Sequence, residues 1–320
     1  MEKKSATEIS TLGEFGLIER LTSRLNRRNS STIMGAGDDA AIIDLGDEVM
    51  LLSTDMMTEG IDFDLVYFPL KHLGYKCVTA VTGELYVEFS HPRTLDIRLG
   101  ISSKLDFEHI KDVWNGIVTA AKEHGYKAVD LDLIPSHNGL AVSVSTCGET
   151  SLLMAKRRPA AKSMDLICVS DNLGAAYMGL QLLEREKIAT AGKDIQPDFQ
   201  GKEYILERQL KPEARREVIE KLREEGIKPT SMIDISDGLS SELMHICKQS
   251  GTGCRIYEER IPIDYQTAIM AEELNMNVIT CALNGGEDFE LLFTVPIADH
   301  EKVAAMKDVR VIGHVVSENM

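Results

Sequence analysis

Apolar residues recur along this chain with two periods, and the order in which those periods alternate sketches the elements. From Gly13, GEFGLIERLTSRL has helical spacing and predicts a short amphipathic helix. An acidic stretch, GAGDDAAIIDLGD, then turns at Leu45-Gly46-Asp47 into a strand, EVMLLS, that ends in Ser53-Thr54-Asp55. Pro69 to Leu85 predicts a helix with Leu73, Cys77, Val81 and Leu85 on one stripe and Glu84 at its far end, off that stripe. Residues 95–102 alternate, with Leu95, Ile97, Leu99 and Ile101 to one side and Asp96 and Arg98 to the other. A long amphipathic helix over 106–125 is capped by Asp106 and stopped by Gly125. KAVDLDL and GLAVSVSTCG add two strands around a turn at Pro135 to Gly139.

A basic, irregular run after Glu149 predicts a linker, and the pattern then starts again. DLICVS reads as a buried strand before a helix over Leu173 to Lys187. PEARREVIEKLREEG predicts an exposed helix with Pro212 in its first turn and Gly226 as its stop, its charges a solvated face. SMIDISDGLSSELMHICKQSG predicts strand, turn and helix, capped by Ser236 or Ser240. A strand over 252–263, a helix from Tyr265 to Leu274, a Gly-Gly turn feeding FELLFTVP, a helix near 298–307 and the strand VRVIGHV complete the series.

This order predicts an α/β (α+β) protein of two domains, 1–148 and 149–320, the second an α/β sandwich. Helices cover one face of the first sheet. The other face must also be buried, which predicts a homodimer formed through that sheet.

Composition narrows the chemistry. With 43% hydrophobic and 27% charged residues the chain is an ordinary globular protein. A net charge of -16 argues against nucleic-acid partners, which need clustered Lys and Arg. The N-terminus lacks the apolar core of a signal peptide and no run is long enough to span a bilayer, so the expected location is cytoplasmic. Six scattered cysteines, without CxxC, read as small buried hydrophobes.

The chemistry concentrates in acidic turns. The pair Asp38-Asp39 and the trio Ser53-Thr54-Asp55 offer oxygen ligands that suit Mg²⁺; the same residues also serve as turn and helix caps. Asp234 and Asp237 flank Ser236 at a strand-to-helix turn, where backbone N–H groups favour a phosphate and the acids call for a cation. Glu59, Asp62 and Asp64 lie in an irregular loop, and Glu287 and Asp288 stand where an apolar strand begins. Arg157, Arg158 and Lys162 form the tight cationic cluster, as phosphate contacts or as ordinary linker charge. No GxxxxGK[ST] loop is present.

Five stretches, GEFGLIERL, GAGDDAA, LLSTD, SMIDISDGLSSEL and LNGGEDFELLFTV, follow one another in an order and spacing far more specific than any one of them. Together they resemble the thiamine-monophosphate kinase family, in the superfamily of aminoimidazole ribonucleotide synthetase. The resemblance implies that superfamily's two-domain architecture, dimerising through the N-terminal sheet. It implies phosphoryl transfer from ATP to thiamine monophosphate, giving thiamine diphosphate, with several Mg²⁺ ions. By the same resemblance Asp39, Ser53, Thr54, Asp55, Asp234 and Asp237 are expected to hold metal, with Glu84 where the family has a bridging aspartate. Asp132 takes a metal and nucleotide position, Ser236 and Arg158 contact ATP, and Glu287 contacts the acceptor together with Asp62, which replaces a histidine. In-line attack without a phosphoenzyme is implied.

Departures cluster at the same positions. Val81-Thr82-Gly83-Glu84 stands where the family usually has Asn-x-Ser-Asp, and Asp130-Leu131-Asp132-Leu133 where it has Gly-Gly-Asp-Thr. The chain ends at Met320 without the family's C-terminal aromatic. A retained kinase and a non-catalytic or altered-substrate homologue, acting as a binding or regulatory protein, both fit these residues. The selenium and hydrogenase branches would need a reactive cysteine near one terminus, which this chain lacks.

Overall fold

The computed structural model describes residues 13–23, 31–35, 40–152, 154–155, 160–193 and 197–317. The first half contains α1 (Gly13–Thr22), β1 (Thr32–Met34), β2 (Ala41–Asp44), β3 (Glu48–Thr58), α2 (Leu70–Val87), β4 (His91–Ser102), α3 (Phe107–Glu123), β5 (Ala128–Ser136) and β6 (Ala141–Ser151). The second contains β7 (Leu166–Ser170), α4 (Ala175–Thr190), α5 (Glu203–Leu210), α6 (Arg216–Glu224), β8 (Ser231–Ile235), α7 (Leu239–Ser250), β9 (Gly253–Ile256), α8 (Tyr265–Glu273), α9 (Val278–Asn284), β10 (Glu290–Val295), α10 (His300–Ala305) and β11 (Val309–Val316).

Six strands form the first sheet in the order β1-β2-β3-β6-β4-β5, antiparallel except for the β4–β5 pair. The second sheet, β8-β10-β7-β11-β9, is antiparallel throughout. Its strands β7, β8 and β10 are buried at every position. One face takes Leu239, Leu243 and Ile246 of α7; the other takes Val218, Ile219 and Leu222 of α6. The expected sandwich is therefore present. The boundary expected after residue 148 falls inside β6, which stays paired with β3 as far as Ser151 opposite Glu48.

Helix α2 departs most from its predicted role. An amphipathic helix buries one stripe, but fourteen of the eighteen residues of α2 are buried, so it is enclosed all round. Its start packs with the core of the first sheet, whereas Tyr86, Val87 and the following Phe89 pack with the second. Its crossing with α3 is close because each helix offers a glycine. A Cβ on Gly116 would overlap the Lys71 carbonyl, and one on Gly74 the Val113 carbonyl. Gly116→Ala must push these backbones apart, and we expect a loss of about 1–3 kcal/mol in urea unfolding.

Two boundary differences have local causes. Strand β3 continues to Thr58, so Ser53, Thr54 and Asp55 lie within it instead of at its tip. Pro212 precedes α6 altogether, and that helix buries a full apolar face. Its neighbour Arg215 turns inward to pair with Glu290 and Asp171.

Candidate active site

Strand alternation decides which residues of the first half can meet. Ser53 and Asp55 point to the side covered by α2, where Val49, Leu51 and Met57 are buried. Thr54 points the other way, within hydrogen-bonding contact of the Ser145 hydroxyl. Straight across the sheet Asp55 stands beside Val144, Val144 beside Ile97, and Ile97 beside Leu131. Asp132, one position further, lies with Arg98, Ser143 and Met56 on the outer face. Its carboxylate lies 4.0 Å from Arg98 Nε. The expectation that Thr54 and Asp132 join Asp55 in one cleft is thus corrected: a period of two separates neighbours in a strand onto opposite faces.

The second half supplies the other wall. Strand β8 carries Asp234, only 4% exposed, and runs into the exposed Ser236-Asp237 turn. That turn is locked against the one before β10, where the Glu287 and Phe289 N–H groups donate to the carbonyls of Ser236 and Ile235 (2.7 and 2.9 Å). Gly286 permits this, since a Cβ there would overlap the Ser236 carbonyl oxygen. Helix α7 is capped by Gly238 with no side-chain bond, not by Ser236 or Ser240. Glu242 reaches back instead, accepting from Asp237 N–H at 3.2 Å.

Helix α2 brings the two walls together. At Gly83 a Cβ would stand 3.0 Å from an Asp234 carboxylate oxygen, so the bare backbone lets Asp234 in beside Glu84. Burial, and then the charges of Asp234 and Asp55, hold the Glu84 carboxyl well above its ordinary 4.5. Burial likewise raises Asp55, with Asp62, Glu287 and Asp237 adding to it against an N–H bond from Met56. Like charges from β3, α2, β8 and two turns therefore act on one another.

The donor chemistry fits a hard cation. Glu84 Oε2 and Ser53 Oγ are both buried without a hydrogen-bond partner among the described residues. Both are oxygens, amid further carboxylates, as Mg²⁺ requires. Among the described residues no three His, Cys, Asp or Glu already form a closed metal-binding group. The reading rests on the orphaned oxygens. Asp39 and Arg158 lie outside the described residues.

The remaining expected residues divide. Asp62 caps its own loop, accepting from Thr58 N–H at 2.6 Å and from the Thr58 hydroxyl at 3.2 Å. That loop is fastened to α4 by Lys187–Asp64 and by Tyr67 donating to Glu184, each 2.7 Å. Glu287 adopts a left-handed backbone, φ 65°, and is 28% exposed beside the cluster. Asp288 turns away from any cleft: fully buried, it accepts from Gly174 N–H (2.7 Å) and Ala176 N–H (3.2 Å) at the start of α4. Burial raises its pKa to about 6.

Pattern reading missed Lys76. Its ammonium is wholly buried, 2.7 Å from Glu287 Oε1 and over the Phe68 ring, while Gln209 donates to Glu287 Oε2 at 2.9 Å. A lysine eight residues before Glu84, amid an apolar helix, was the available signal.

Comparison with known proteins gives the chain its family. Residues 37–150 match the family described as AIR synthase related protein, N-terminal domain. Thiamine-monophosphate kinase from Bacillus subtilis is 30% identical over 285 residues, covering 89% of this chain and 84% of that protein. The Pyrococcus abyssi enzyme of the same name is 32% identical over 291 residues, covering 88% and 83%. The chain belongs to the thiamine-monophosphate kinase family. A solved structure of AaThiL complexed with AMPPCP and TMP superposes with a TM-score of 0.85 at 26% identity, covering 99% of this chain and 94% of that one. The fold expected of the family is thus present.

Family membership gives the raised Glu84 a consequence. A carboxyl whose folded pKa exceeds its unfolded value lowers stability by a penalty that is absent below the ordinary value, grows as pH rises above it, and is complete above the folded one. Glu84→Gln should stabilise the metal-free protein by about 1–3 kcal/mol at pH 8 and by less at pH 5. Urea unfolding in EDTA measures the difference, and added Mg²⁺ should erase it.

Proposed function

We propose that this protein transfers the γ-phosphoryl group of ATP to the phosphate of thiamine monophosphate, giving thiamine diphosphate. The observation that carries the reading is the pair of orphaned oxygens on Ser53 and Glu84, set among Asp55, Asp234 and Asp237 where both halves of this family's fold meet. Ser53, Asp55, Glu84, Asp234 and Asp237, with Asp39, would hold Mg²⁺. When bound, the metal would neutralise phosphate charge during in-line transfer.

The side chains themselves position the reactants. Ser236 lies at the approach to α7, where phosphate oxygens are favoured, and by the family resemblance Arg158 would supply a cation. The thiazolium ring of the acceptor is cationic, and Glu287, steadied by Lys76 and Gln209, offers it a counter-charge beside Asp62. No residue needs to become phosphorylated. Purified protein with Mg-ATP and thiamine monophosphate should form thiamine diphosphate. Absence of both turnover and any thermal shift from Mg-ATP would refute the assignment.

A homodimer through the outer face of the first sheet belongs to the same reading. Leu52, Met56 and Ile134 are 39%, 56% and 59% exposed on that face, an apolar surface that a second copy would cover. Thr54 and Asp132 would then lie in the contact. Sedimentation should give twice the chain mass, and Met56→Lys should shift it toward the monomer. Among the described residues no helix is long and apolar enough to cross a membrane, and all six cysteines are free. A cytoplasmic setting belongs to the same reading because ATP is the donor.

A further inference from the structure

Tyr86 follows Glu84 by two residues and so projects from the opposite side of α2. There a cavity of about 320 Å³ opens between the end of α3, the start of β4 and helix α6. Its charges run against those of the chain. Arg93, Lys127, Arg216 and Arg223 line it with a single carboxylate, Glu220, in a protein of net charge -16. Arg216 pairs with Glu220 at 2.7 Å and Arg93 with Glu149, whereas Lys127 is exposed and makes no ion pair among the described residues. Burial first, and then Arg223, Arg93 and Arg216, hold the His91 imidazole below its ordinary value.

Behind the lining residues lie polar atoms with nothing to bind, closed off from the cavity as it stands. Ser90 is 2% and His124 8% exposed, and Ser90 Oγ, His124 Nε2 and Arg93 Nε are buried without a hydrogen-bond partner among the described residues. Burial holds the Tyr86 phenol protonated, and its oxygen lies 3.0 Å from His124 Nδ1. With the phenol donating to Nδ1, the Nε2 of the neutral ring carries the hydrogen. Arg93 Nε–H and His124 Nε2–H are then both donors, and Ser90 can donate as well. Orphaned buried donors of this kind cost free energy until an acceptor arrives.

We propose that this cavity is a second anion site, built to take a small phosphate-bearing molecule, on the far side of α2 from the carboxylate cluster. The donors suit phosphate oxygens, and guanidiniums among them allow paired contacts. The volume admits a ligand of diphosphate size and excludes a polymer. Because the lining comes from β4 and α3 on one side and α6 on the other, an occupant would tie the two halves together.

Binding can be isolated by removing metal, since the carboxylate cluster then repels anions. Calorimetric titration of the protein with pyrophosphate, and separately with inorganic phosphate, in EDTA should show one saturable site per chain for at least one probe. Lys127→Glu, at an exposed position that should not disturb folding, should weaken that binding at least tenfold, and Asp234→Asn should leave it unchanged. Thermal unfolding should show a matching upward shift with the probe in wild type and none in Lys127→Glu. Absence of saturable binding in wild type, Lys127→Glu titrating like wild type, or loss of binding in Asp234→Asn would each overturn the proposal.

Discussion

Asp234→Asn is expected to lower kcat at least 100-fold while leaving the protein folded. The side chain is 4% exposed, sits against the bare Gly83 backbone and weighs electrostatically on Glu84. Asparagine keeps its shape but removes the charge and one cation-binding oxygen. Loss of one preorganised group that stabilises transition-state charge typically costs 10²–10³-fold. Saturation with Mg²⁺ should recover only part of this, because the missing oxygen cannot be replaced by mass action alone. Steady-state kinetics across Mg²⁺ concentrations, with circular dichroism as a check on folding, decide it. Activity within threefold of wild type would remove Asp234 from the machinery.

Lys76→Met is expected to be the most destabilising single substitution in α2. Breaking a buried ion pair by removing one member costs about 3–5 kcal/mol, and the lower end applies because Glu287 is 28% exposed. The effect should reach the site as well. Glu287 already helps raise the Asp55 carboxyl, and without the ammonium its charge acts on Asp55 undiminished. Urea unfolding gives the stability change. A companion Lys76→Met/Glu287→Gln double variant should regain most of the loss, since both members are then removed. A single variant as stable as wild type would show that the pair contributes little.

Much of this was legible beforehand because it depends on local period. The N-cap at Asp106 and the stop at Gly125 are local signals, and α3 begins and ends beside them. Asp55, Asp234, Asp237 and Glu287 stand out in the sequence at strand ends and turns; in the structure the charges of Asp234 and Asp55 act on Glu84, and those of Glu287 and Asp237 on Asp55. Three things were out of reach. Which face Asp132 occupies depends on pairing across four strands, and no local pattern contains that register. The burial of Lys76 and of Arg215 depends on partners at Glu287 and Glu290, more than seventy positions away. Helix α6 read as a solvated face because its charges outnumber its apolar residues, yet Val218, Ile219 and Leu222 anchor it to the second sheet. What such a helix lies against cannot be inferred from its own composition.

The full enclosure of α2 has a consequence for how the molecule holds together. Its first turns belong to one hydrophobic core and its last to the other, so neither half owns a complete interior. Severed after β6, the first half would present Tyr86, Val87 and Phe89 to water as a bare greasy stump, and the second would keep a trough with its filling gone. The chain is better regarded as a single cooperative unit with two sheets than as two tethered globules, and the carboxylates gather around the one rod common to both.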